Sequence, residues 1–91
     1  MSSVEAPKRA VGVRVRKIHG DLYLASGADA WRLSDVGASI WELADGSRSV
    51  EEITAAITDE YSVDAASALA DTREFVDELI DKQLMVWRPR G

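Results

Sequence analysis

Residues 27–46 read GADAWRLSDVGASIWELADG, and this stretch decides the fold. Trp31 and Leu33 alternate with Ala30 and Arg32, which is the period of a strand with one apolar face. One polar residue later the pattern changes. Ser34 is a good N-cap, Asp35 suits the positive end of a helix, and Ile40, Trp41, Leu43 and Ala44 recur at helical spacing until Gly46. A strand therefore runs directly into a helix. What lies before it reads as hairpin, and what lies after it reads as helix.

Toward the N-terminus, Leu22 and Leu24 form an apolar face with Asp21 and Tyr23 opposite. Ser26-Gly27 marks the turn into the decisive strand, and His19-Gly20 marks the turn before it, since Gly takes the positive φ of a tight hairpin. Val11, Val13 and Val15 alternate with Gly12, Arg14 and Arg16, which predicts a first strand with one buried face. Three strands joined by tight turns make an antiparallel meander in the order 1-2-3. Residues 1–10 are polar and patternless and are expected to be a flexible N-terminal arm, leaving 11–87 as the domain.

Toward the C-terminus, Ser49-Val50-Glu51-Glu52 is a capping box, and Val50, Ile53 and Ile57 give the second helix its inner face until about Tyr61. Asp64 caps a third, longer helix to about Lys82, with Leu69, Thr72, Phe75, Val76, Leu79 and Ile80 as its inner stripe. Leu84 to Trp87 form a short extended tail that Pro89 is expected to stop. The class is α+β: a three-stranded antiparallel sheet followed by three helices, a winged helix-turn-helix-like arrangement.

The totals exclude several functions. Ninety-one residues form one domain, too small for a large enclosed active site. There is no cysteine and a single histidine, so neither thiolate chemistry nor a multi-histidine metal centre is available. No P-loop, Rossmann fingerprint or HExxH occurs. Acid pairs such as Asp77/Glu78 and Glu51/Glu52 fall on predicted solvent faces, where nothing perturbs a pKa for acid–base work. We therefore expect no enzyme, no cofactor and no metal. Without an apolar run of membrane length or the core of a signal peptide, a cytoplasmic protein without a membrane partner is expected.

Charge argues against nucleic acid. The net charge is −5. The third helix, which would enter a DNA groove, carries Asp64, Asp71, Glu74, Asp77, Glu78 and Asp81 against Arg73 and Lys82. Such a face repels the phosphates that a recognition helix must approach. The bases gather instead near the N-terminus, in Lys8, Arg9, Arg14, Arg16 and Lys17.

Peptide binding fits better. A three-stranded meander has two open edges, and native edges are usually blunted by charge, proline or bulges. The first strand is guarded by Arg14, Arg16 and Lys17. The third strand, with Ala28, Asp29, Ala30, Trp31, Arg32 and Leu33, has small residues, no proline and no lysine. An extended peptide can add there as a fourth strand. The same edge can pair with a second copy, so a monomer or weak dimer is expected.

From Leu22 to Val86 the chain resembles the PqqD-like family, also called the RiPP recognition element, for ribosomally made, post-translationally modified peptides. The resemblance rests on Leu33-Ser34, Ala38, Ile40-Trp41, Asp45-Gly46, Ser49-Val50, Ile53, Tyr61-Ser62-Val63, Asp71-Thr72, Phe75-Val76-Asp77-Glu78-Leu79 and Gln83-Leu84, in order and at the family's spacing. Three positions depart: Ser34 stands for Asn, Thr72 for Val and Gln83 for Gly. The last removes the easy left-handed stop after the third helix, and Thr72 puts a hydroxyl where the groove would be apolar.

The resemblance implies a non-catalytic peptide chaperone. Such a domain binds the leader region of a precursor peptide as an extra antiparallel strand. It then presents the precursor to a modifying enzyme or leader peptidase, as in lasso-peptide or radical-SAM pathways. Carried onto this chain, the docking edge is the third strand. The helix side is Ala68, Asp71, Thr72 and Phe75, which share one face at spacings of three and four. Asp71 is expected to accept a hydrogen bond from the leader or to pair with Arg32. The alternative function is a winged-helix transcriptional regulator or another protein-interaction module.

Overall fold

The computed structural model describes residues 4–90. Eight elements follow one another: β1 (Val4–Arg9), β2 (Arg14–Ile18), β3 (Asp21–Ser26), β4 (Asp29–Leu33), α1 (Asp35–Leu43), α2 (Val50–Tyr61), α3 (Ala65–Asp81) and β5 (Met85–Arg90). β2, β3 and β4 form the expected antiparallel meander, and β1 pairs with β5 in a separate two-stranded ribbon. The decisive stretch behaves as read: β4 passes through Ser34 into α1, and the Ser34 hydroxyl accepts from the Gly37 N–H at 3.0 Å.

Two turns set the meander. His19 and Gly20 both hold positive φ, 52° and 85°, the signature of a type I′ hairpin whose twist matches its strands. The second turn is Gly27-Ala28, one residue beyond the expected Ser26-Gly27, because Ser26 still pairs with Asp29. Leu24 faces Trp31 and Leu22 faces Leu33 across the ladder, so these four side chains share the inner face. That face meets α1 and the core of Ile40, Trp41, Ile53, Ile57, Val76, Leu79, Leu84 and Met85.

Three expectations are corrected. The first strand has no buried face: β2 is exposed along its length, and Val11 lies in a turn fully open to solvent. Only β3 and β4 rest on the helices, so β2 has nothing to bury against. Residues 4–9 are not a flexible arm but β1, antiparallel to β5, so the folded unit reaches beyond 11–87 at both ends. Residues 1–3 of that arm lie outside the described residues. The C-terminal strand also continues past Pro89, which stands opposite Glu5. In a two-stranded ribbon alternate N–H groups point off the free edge, where a missing donor costs little.

Arg9 explains why β1 is held. The last carbonyls of a helix have no intrahelical donor, and α1 has no basic residue in its last turn. Arg9 supplies one from far away in sequence: its Nη1 donates to the Trp41 and Glu42 carbonyls at 2.8 and 2.7 Å. Its backbone N–H donates to the Ala44 carbonyl at 3.0 Å. Beyond this, Asp45 clasps the turn into α2. Hydrogen bonds from Ser47, with the Arg48 cation beside them, hold its carboxyl down at about 2.

The other helix ends also follow from sequence. Ser49 and Glu52 close the capping box reciprocally. Asp64 caps α3 by accepting from the Ser67 N–H at 3.0 Å. α3 ends at Asp81 without a glycine at the position of the stop. Gln83 adopts the left-handed conformation itself, φ 63°, while Leu84 N donates to the Leu79 carbonyl and Gln83 N to the Ile80 carbonyl. These two bonds are a Schellman motif, built here on a residue with a Cβ.

Two outcomes test these ends. Arg9→Ala will lower the unfolding free energy by about 1.5–3 kcal/mol, the range for hydrogen bonds to a charged group, measured by urea denaturation. Gln83→Gly will raise it by roughly 0.5–1 kcal/mol, because glycine removes the left-handed strain; an unchanged or lower midpoint contradicts this.

Candidate functional site

The sheet ends at β4. With the order β2-β3-β4, no strand of the described residues covers its outer edge. A two-residue hairpin loop closes on a hydrogen-bonded pair, here Ser26 with Asp29, and an antiparallel ladder alternates from there. Asp29, Trp31 and Leu33 therefore turn their main chain toward β3. Ala30 and Arg32 turn N–H and C=O outward, and their side chains lie on the outer face of the sheet.

Alongside this edge lies the second half of α3. Between them is a cleft of about 310 Å³, lined by Trp31, Arg32, Leu33 and Ser34 on one side and by Phe75, Glu78, Leu79 and Lys82 on the other. Two smaller hollows continue along α3. One, of about 230 Å³, is bounded by Asp71, Glu74, Phe75 and Glu78. The next, of about 160 Å³, lies between the start of α1, the end of α2 and α3, with Asp71 and Thr72 in its wall. Shared residues make the three one groove. Asp71, Phe75, Glu78 and Lys82 line it at spacings of three and four, and Lys82 pairs with Glu78 at 2.9 Å.

The expected site residues are brought together only in part. Trp31, Arg32, Leu33 and Phe75 meet in the largest of these three hollows. Asp29 and Ala30 lie exposed at the far end of the edge, and Ala28 belongs to the turn, not the strand. Ala68 and Thr72 are buried, 5% and 1% exposed, so the Thr72 hydroxyl is not presented on an open surface. Asp71 is exposed where the two smaller hollows join. It does not pair with Arg32, whose guanidinium stands 3.9 Å from Asp21.

Sequence reading missed Ser34, Glu78, Leu79 and Lys82 as groove residues. The signal was present: Leu79 and Lys82 lie one turn beyond Phe75 and Glu78. It also missed Gly37. The Phe75 ring lies against the backbone of α1 at this residue, where a Cβ would come within 2.9 Å of Phe75 Cε1. A glycine inside a helix costs about 1 kcal/mol relative to alanine, and here it gives the ring its seat.

A roomier cavity of about 620 Å³ lies between α2 and α3, lined by Thr54, Thr58, Ala65 and Leu69 among others. None of its lining residues belongs to β4. Among the described residues no group of three or more histidines, cysteines or acids is placed to hold a metal ion. No helix of the described residues is long and apolar enough to cross a membrane.

The chain is similar to known proteins. The family model described as coenzyme PQQ synthesis protein D (PqqD) matches residues 22–85. The structure of TbiB1 in complex with the TbiA(beta) leader peptide is similar at 32% identity and a TM-score of 0.74, covering 86% of this chain and 93% of that one. The solution NMR structure of the PqqD truncation of Methylobacterium extorquens PqqCD, a functional and stand-alone RiPP recognition element, shares the fold. It is 24% identical with a TM-score of 0.74, over 88% of this chain and 87% of that one. No curated protein matches the chain.

The Phe75 seat gives a test that changes sign. Gly37→Ala will destabilise the wild-type protein by about 1 kcal/mol or more, since overpacking outweighs the better helix propensity. In a Phe75→Ala background the same substitution will stabilise by up to about 1 kcal/mol. Urea midpoints of the four proteins measure the cycle, and equal effects in both backgrounds would show that the ring and Gly37 are not coupled.

Proposed function

The chain belongs to the PqqD family, and we propose that it is a non-catalytic peptide chaperone for the leader region of a ribosomally synthesised precursor peptide. The observation that carries this reading is the unpaired outer edge of β4 beside the α3 groove. The leader adds there as an antiparallel strand, bonding to the outward N–H and C=O groups of Ala30 and Arg32. Its inward side chains enter the groove beside Trp31, Leu33 and Phe75. Asp29, Asp71, Glu78 and Lys82 border the strand along its length, while Ala68 and Thr72 shape the groove without facing the leader and Ala28, in the turn, sets where the edge begins.

Energetically this is sufficient. A few main-chain hydrogen bonds contribute about 0.5–1.5 kcal/mol net each, and one or two buried apolar side chains add about 1.5–3 kcal/mol each. Association costs take part of that gain, which leaves an affinity on the order of micromolar.

The bound precursor is then presented to a modifying enzyme or leader peptidase, in a lasso-peptide or radical-SAM type of pathway, in the cytoplasm. The same open edge accounts for a monomer or weak dimer. The acids of α3 favour this role over that of a winged-helix regulator.

The test is a titration with the synthetic leader half of the precursor encoded beside this gene, read by fluorescence polarisation and backbone NMR. Saturable binding is expected, with shifts confined to residues 29–33 and to Phe75, Glu78 and Lys82. Ala30→Pro removes one outward donor without touching the β3 ladder and will weaken binding about tenfold or more while the protein stays folded. Saturable binding that leaves the β4 resonances unmoved would overturn the strand-addition mode.

A further inference from the structure

The docking edge separates two surfaces of opposite charge. Cross-strand pairing places Arg16, Tyr23 and Arg32 in one row on the outer face of the sheet. Arg14 lies on the same face. Among the described residues the one acid paired with this group is Asp21, 3.9 Å from Arg32, with side chains 45% and 63% exposed. In a chain of net charge −5 this face is locally basic. The groove side is net acidic: Asp71, Glu74 and Glu78 line it against the one base Lys82, and of the three acids only Glu78, paired with that lysine, has an ion-pair partner among the described residues.

A strand laid on β4 must divide its side chains between these surfaces, because successive residues point to opposite faces. Arg32 presents its main chain to the incoming strand, so the residue opposite it is a direct cross-strand neighbour on the outer face. Neighbours one position away face α3. A slip of one residue would exchange the two rows completely.

We propose that Arg32 is the specificity-determining residue for leader register: the leader carries an acidic side chain opposite Arg32, flanked by apolar or basic side chains that face α3. This rests on the leader-binding reading and adds the chemistry of the strand. An acid opposite Arg32 meets a cation and lies across the row from Arg16. The same acid slipped by one position loses that cation and faces α3, where Lys82 is already paired with Glu78 and the unpaired Asp71 and Glu74 leave the groove side net acidic. Attraction on one face and repulsion on the other therefore select one register of two.

The experiment is a charge scan. In the synthetic leader of the precursor encoded beside this gene, each position in turn is replaced by Glu and by Lys. Each peptide is titrated by fluorescence polarisation into the wild type, Arg32→Gln and Arg32→Glu. At one position Glu should bind the wild type roughly two- to fivefold more tightly than Lys, the range for a cross-strand charge pair. Arg32→Gln should abolish that preference and Arg32→Glu should invert it. The positions on either side should prefer Lys in all three proteins. If the peptides bind and no position inverts with Arg32→Glu, the charge filter is wrong while leader binding stands. If no peptide in the scan binds any of the three proteins, leader binding itself is wrong, and this inference falls with it.

Discussion

The ring of Phe75 rests on the bare backbone of Gly37, and much of the site depends on that contact. It ties the first turn of α1 to the middle of α3. α1 begins directly where β4 ends, so fixing α1 against α3 also fixes the distance between α3 and the edge of the sheet. That distance is the width of the groove. The Ser34 hydroxyl joins in the same place, holding the Gly37 N–H and starting the helix. Strand, cap, helix and aromatic ring meet within four residues of sequence and one residue from α3.

What this arrangement leaves unsatisfied matters as much as what it buries. Backbone donors and acceptors are obligatory partners in a folded interior, yet no strand of the described residues pairs with the outward groups of Ala30 and Arg32. Most proteins cover or blunt such an edge. This one guards β2 with Arg14, Arg16 and Lys17 and leaves β4 free of proline and lysine. The asymmetry between the two edges of a single small sheet favours an interaction surface over a structural accident.

The ribbon of β1 and β5 serves a different purpose. It does not touch the groove. Through Arg9 it completes the C-terminal end of α1, and through Pro7 and Lys8 it braces the turn between α1 and α2. A small domain buries a limited fraction of its surface, so closing the end of α1 with groups from β1 is a substantial gain.

Local chemistry was legible in the sequence and non-local partnership was not. Caps, turns and the inner faces of helices depend on residues within four positions of one another. Ser34, Ser49, Asp64, the hairpin glycines and the apolar periods therefore announced the meander, the three helices and the exposed third edge. The family pattern, itself a set of local spacings, pointed to the same edge and to α3. Three matters were decided only by the tertiary structure. Val4–Arg9 has no strand pattern and becomes a strand because β5 and the end of α1 offer it partners. Ala68 and Thr72 share a helical face with Asp71 and Phe75, but the packing of α1 and α2 buries them and leaves Phe75 at the groove. Nothing local marks Gly37, and its role comes from Phe75, which occupies the space its missing Cβ leaves. In each case the deciding contact joins residues distant in sequence, and no local period encodes it.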